Sequence, residues 1–161
     1  MFKFHTRIVV LVAVLAAIGS ASVAEAKSHR YSATLVSEPL SVGDGYPNTG
    51  GTAFVAGTVT SNRFGTGAVV DHLTITGRPW GGPVTTFEGT EVIVFDDGTQ
   101  RNKFTGYDVP QDDGSHRIVV NGRYAGGTER YRGATGRYKF EGTIPSGSTV
   151  MTGRSTGRVR F

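Results

Sequence analysis

Gly136-Arg137-Tyr138-Lys139-Phe140-Glu141-Gly142-Thr143-Ile144 and, beyond Pro145-Ser146-Gly147-Ser148, the run from Thr149 to Phe161 decide the fold. Side chains of an extended strand point alternately to opposite sides. In the first run Tyr138, Phe140 and Ile144 share a side with Gly136 and Gly142, opposite Arg137, Lys139, Glu141 and Thr143. In the second, Met151, Val159 and Phe161 lie with Gly153, Ser155 and Gly157, opposite Thr152, Arg154, Thr156, Arg158 and Arg160. Both stretches read as strands with one apolar and one basic side.

The same alternation extends back through the chain, broken by Gly, Pro, Asn and Asp. Eight candidate strands result: 31–37, 52–61, 68–76, 84–95, 99–105, 116–125, 136–144 and 149–160. The turns between them carry Asn62 to Gly67, Gly77 to Pro83, Asp112-Asp113-Gly114 and Pro145-Ser146-Gly147, and Asp97-Gly98 is the strongest hairpin signal. In the fourth strand Val92 and Val94 oppose Ile93 and Phe95, so both sides ask for cover from another segment or subunit. Sequential strands without crossover helices make a closed barrel or a two-sheet sandwich. Closure removes exposed edges, and glycines on the apolar side let strands bend and leave room inside. The expectation is an all-β, eight-stranded antiparallel β-barrel of calycin-like type.

Composition agrees with one such domain. The 161 residues include 24 Gly and no Cys, which disfavours long helices and removes disulfides, Cys-ligated metal and thiol nucleophiles. Residues 1–26 read as a signal peptide: Lys3 and Arg7, an apolar run from Ile8 to Ile18 too short to span a bilayer, then Ala24-Glu25-Ala26 as a small-x-small cleavage site. The mature barrel domain is then 27–161, exported to the periplasm or the cell exterior, with no transmembrane segment after cleavage. Its charge is uneven: 4 basic and 7 acidic residues over 27–100, against 11 basic and 5 acidic over 101–161. A basic second half suits an anionic partner. Export and the lack of aromatic interleaving argue against nucleic acid.

The stretch Tyr124-Ala125-Gly126-Gly127-Thr128-Glu129-Arg130-Tyr131-Arg132-Gly133-Ala134-Thr135-Gly136 resembles a glycine-rich segment of the allene oxide cyclase barrel and, more loosely, of dirigent proteins. Glu129 stands at the place of that segment's fourth glycine. Phe87 to Gly106 sits at the matching distance before it, so the likeness covers about the last 80 residues best. The resemblance implies an eight-stranded barrel whose interior accepts a hydrophobic small molecule, often assembled as a trimer in plant members. The plant cyclases also use an interior Cys, which this chain lacks, and an early acidic group near whose place Glu38 lies, followed by Pro47 and Asn48.

Asp71 shares its side with Val69, Leu73 and Ile75; it is a strand-end carboxylate reaching solvent or an interior acid with a raised pKa, and is the candidate proton donor. His72 points the other way, and Glu88 and Glu91 differ in parity. Trp80 in the Gly/Pro loop and Tyr124, Tyr138 and Phe140 on the apolar sides are the candidate ligand contacts. No His has a metal-ligand spacing, Asp112-Asp113 is a weak calcium pair, and no cofactor or metal is expected. Thr-Gly-Arg recurs at Thr76, Thr135, Thr152 and Thr156 without a fixed period. Two functions follow as expectations. One is a container for a small hydrophobic ligand, able to steer its cyclisation by confinement, as a homo-oligomer (dimer or trimer). The other is a noncatalytic surface or assembly protein whose Arg-rich face binds an anionic partner.

Overall fold

The computed structural model describes residues 27–78 and 82–161. Its strands are β1 Ser28–Val42, β2 Thr52–Ser61, β3 Gly65–Gly77, β4 Thr85–Phe95, β5 Gly98–Pro110, β6 His116–Gly127, β7 Thr135–Ile144 and β8 Met151–Arg160, with one 3-10 turn, Glu129–Tyr131, before β7. Each strand pairs antiparallel with the next, and β8 returns to pair with β1. The result is a closed eight-stranded barrel. Residues 1–26, expected to be a signal peptide, and Trp80 lie outside the described residues.

Two strands run well past their expected ends. β1 continues through Pro39, which lies past the end of the pairing with β8 at Ser37 and Met151 and next to a register slip with β2 between Pro39 and Ser41, an edge position that suits a proline. β5 continues to Pro110, paired with β4 as far as Asp108 and with β6 to its end. The β4–β5 hairpin also turns one residue earlier than expected. Phe95 pairs with Gly98, so Asp96-Asp97 is the two-residue loop and Gly98, at φ 131°, is the first residue of β5.

The alternation sorts side chains as the sequence indicates. Ala33, Leu35, Val59, Val69, Ile75, Ile93, Ile118, Val120, Tyr138, Phe140 and Val159 point inward and are buried. Burying a side chain of this size is worth about 1.5–3 kcal/mol, so this lining is the main source of stability in a chain with no cysteine.

The inward glycines do not leave vacant room, contrary to the sequence expectation. A Cβ on Gly122 would lie 2.0 Å from the Tyr138 ring, one on Gly89 2.6 Å from Phe104, one on Gly106 2.5 Å from Phe87, and one on Gly153 2.4 Å from Phe140. Each aromatic ring occupies the space beside a glycine on a neighbouring strand. The glycines make space that rings fill, and the cavity that remains lies elsewhere.

The two ends of the barrel differ. At one end Phe64, Phe95, Tyr131 and Phe161 form a floor, with neighbouring ring centroids 5.5–6.0 Å apart. The Arg130 guanidinium sits 5.5–5.9 Å from the centroids of Phe64, Tyr131 and Phe161 and pairs with Asp97, which also accepts a 2.9 Å hydrogen bond from the Tyr131 hydroxyl. Glu129 begins the 3-10 turn that presents Tyr131 and Arg130 to this floor. Its φ of 48° is the one positive value at a non-glycine among the described residues. This left-handed conformation is one that glycine adopts without strain and other residues rarely take. The opposite end is the mouth, where Tyr46 and Pro47 of the β1–β2 loop meet the ends of the other strands.

Outside, Val92 and Val94 are exposed, so of the two covers that the two-sided pattern of β4 suggested, another segment of the chain is not the one among the described residues; Val94 keeps 52% of its surface in the single chain. With Val70, Ala68 and Phe54 across β3 and β2, they form a band low in charge. β5 to β8 carry the basic side chains.

Candidate functional site

Between floor and mouth lies a cavity of about 180 Å³. Its wall is mostly apolar: Leu35, Val59, Leu73, Ile75, Ile93 and Phe140 are among the residues lining it. A dry engineered cavity of about 150 Å³ admits benzene, so this one has room for a molecule of roughly one ring.

One pole of the cavity is polar. Asp71 of β3 and Glu91 of β4 are direct cross-strand partners and both point inward. Such partners place their Cβ atoms about 5 Å apart. Glu91 is well supplied with donors: the Tyr138 hydroxyl donates to its Oε1 at 3.0 Å, the Asn102 amide donates to the same oxygen, and Gln100 Nε2 donates to Asn102 Oδ1 at 3.2 Å. Asp71 has none of this support, and its buried Oδ1 lacks a hydrogen-bond partner among the described residues. The Tyr31 hydroxyl pairs with Ser155 Oγ at 2.7 Å on the facing wall.

Electrostatics separate the two carboxyls. Burial raises the Asp71 pKa well above the usual carboxylate range, and the neighbouring Glu91 charge raises it further. Burial also raises Glu91, but its hydrogen bonds from Asn102 and Tyr138 pull the other way because they favour the charged form. The proton the pair retains therefore belongs on Asp71, and the charge on Glu91. Burial keeps the nearby phenols neutral, with Tyr31 pushed up to about 12 and Tyr124 and Tyr138 also raised.

Of the expected site residues, the structure brings Asp71, Tyr138 and Phe140 together on the cavity wall. Asp71 is the interior acid, not the strand-end one. Tyr124 is buried one layer away, its ring 5.8 Å from Tyr31 and 5.7 Å from Tyr138. Trp80 cannot be placed against the cavity, since it is outside the described residues. His72 faces outward and stacks on Phe54, as parity requires.

The residue sequence reasoning missed is Glu91. On its own strand, parity separates it from Glu88, and no pair is visible there. Its partner is across the hairpin, and the bulge between Ile75 and Gly77 shifts the register, so counting through the loop does not reveal the match. The available signal was that two apolar strand sides, Val69-Leu73-Ile75 and Phe87-Ile93-Phe95, each carry one acid.

The wall carries Glu38, Asp71, Glu91 and Asp108 and, among the described residues, no Lys, Arg or His. Asp108 at the mouth is held by His116 Nδ1 at 2.8 Å. No three His, Cys, Asp or Glu converge among the described residues, so the donor set suits hydrogen bonding to an organic molecule better than metal ligation. No protein-family model, curated protein or solved structure matches the chain.

Proposed function

We propose that the barrel holds one small, mainly apolar molecule, about the size of a single ring, which presents a hydrogen-bond donor to the Asp71–Glu91 pole. The observation that carries this reading is the unpartnered, buried Asp71 Oδ1 on the wall of a cavity that is mostly apolar. An unsatisfied buried acceptor costs about 1–3 kcal/mol. A bound hydroxyl would offset that cost. Apolar walls then fix position by confinement, and the acid pole fixes orientation.

A steering role in cyclisation uses the same geometry. Asp71, kept protonated beside a charged Glu91, is a donor to an oxygen on the occupant, and the walls limit the conformations that reach it. With the N-terminal segment read as an export signal, this container works in the periplasm or outside the cell. That setting and the barrel form both accord with the resemblance to the allene oxide cyclase and dirigent families.

The test is thermal unfolding with benzyl alcohol as probe. Ligand at 100 times its Kd stabilises by about 2.7 kcal/mol. A dose-dependent rise in Tm that disappears in Leu35→Phe, which fills the cavity, supports the reading. An equal rise in both proteins, or none in either, refutes it.

A further inference from the structure

The outward faces of β5 to β8 and β1 place five cations in one register line. Lys103 pairs with Arg123, Arg123 with Arg137, Arg137 with Arg158, and Arg158 with Arg30. All five are exposed. Among the described residues none of them makes an ion pair, and the one outward carboxylate on β5 to β8, Glu141, is already engaged by Lys139 and Arg117.

Like charges directly opposite on neighbouring strands destabilise a sheet. Here that cost is incurred at four successive steps, while Thr, Ser and Asn occupy comparable positions nearby. The Thr-Gly-Arg triplets contribute directly. At Thr135 and Thr156 they turn glycine inward, beside the core, and arginine outward, onto the line. With strands about 4.8 Å apart, the line is about 19 Å long at the backbone.

Its path selects the partner. Five of eight strands cover about half the circumference, so the cations point in directions that diverge around the barrel. A flat membrane or a stiff duplex would reach only the middle two or three. A flexible linear chain can follow all five. The outward neighbours two residues along each strand are Thr, Ser, Asn, Ala, Lys or Arg, with no aromatic ring on which a base could stack.

We propose that this cationic line is a binding track for a linear acidic polysaccharide. It is independent of the interior cavity, because its side chains lie on the opposite face of the same strands.

The test is isothermal titration of the full mature chain with a short oligogalacturonate, with oligothymidylate and phosphatidylglycerol vesicles as alternative partners. Binding of the oligogalacturonate should weaken with salt, with a slope of log K against log[NaCl] of roughly −3 to −4 for five contacts on a flexible polyanion. The double variant Arg137→Ser/Arg158→Ser should bind about tenfold or more weakly, with a Tm equal to or above that of the parent because it removes like-charge pairs. Arg137→Lys/Arg158→Lys should restore most of the affinity, and Arg117→Ser/Arg154→Ser, off the line, should bind within about threefold of the parent. The proposal is overturned by no binding of the oligogalacturonate, by unchanged binding in the Ser double variant, or by tighter binding of oligothymidylate or of the vesicles.

Discussion

Replacing Asp71 by asparagine should stabilise the barrel at high pH and leave it nearly unchanged at low pH. Asp71 and Glu91 face each other across β3 and β4 inside the wall. At about 5 Å and an effective dielectric constant of about 20, two full charges would repel by roughly 3 kcal/mol. Both carboxyls have raised pKa values in the fold, so the native chain holds protons that the unfolded chain releases. The contribution is therefore fully favourable below about pH 4 and is lost as pH rises through the folded-state values. The Asp71→Asn amide keeps the shape of the protonated acid and removes the cost, at high pH, of holding that proton or burying a second charge beside Glu91. Its expected gain is about 1–3 kcal/mol at pH 8 and close to zero at pH 4. For a domain of this length that is roughly 4–12 °C in Tm. The assay is the difference in Tm between parent and variant, scanned by circular dichroism from pH 4 to 8. Surface carboxylates with lowered pKa values, such as Asp97 and Glu141, cancel in that difference. A variant less stable than the parent at pH 8, or a difference that does not change with pH, would refute the reasoning.

Four further outcomes are expected. Glu129→Gly relieves a left-handed residue at φ 48° and should stabilise by about 0.5–1 kcal/mol, after part of the gain is lost to the freer unfolded chain, as read from urea midpoints at constant m. Gly122→Ala drives a methyl group into the Tyr138 ring, 2.0 Å from its Cζ, and should destabilise by about 1–3 kcal/mol in the same assay; a neutral result would mean the ring is not seated there. Arg130→Ala removes the cation lying over the floor rings and its partnership with Asp97, with an expected loss of about 1 kcal/mol given how exposed the pair is, and Asp97→Ala should add little to it in a double-mutant cycle. Tyr138→Phe removes one of the donors to Glu91 and should cost about 1–3 kcal/mol at neutral pH and less at pH 4, where the carboxyl is protonated; the pH scan of Tm checks the sign.

Much of the barrel was legible because period two is a backbone property. Tyr138, Phe140, Ser155 and Val159 face inward just as their alternation requires, and Asp71 goes inward with Val69 and Leu73. What alternation cannot carry is the relation between strands. The Asp71–Glu91 pair depends on a register that a bulge shifts by one residue, and the line from Lys103 to Arg30 appears only when five strands are aligned. The glycines mislead for a similar reason. Gly153 looks like a vacant position along its own strand, and the ring that fills it comes from Phe140 next door. Val92 and Val94 satisfied a burial pattern on both sides of β4, yet no other segment among the described residues covers them, and with Val70, Ala68 and Phe54 they leave an apolar band on the outer face.

The most direct measurement is diffraction from crystals of residues 27–161 soaked in benzyl alcohol. One ring is expected inside the barrel, against Phe140 and Ile93, with its hydroxyl about 2.5–3.0 Å from an oxygen of Asp71 or Glu91. An interior closed up by side chains, or a ring bound only on the outer surface, would contradict it.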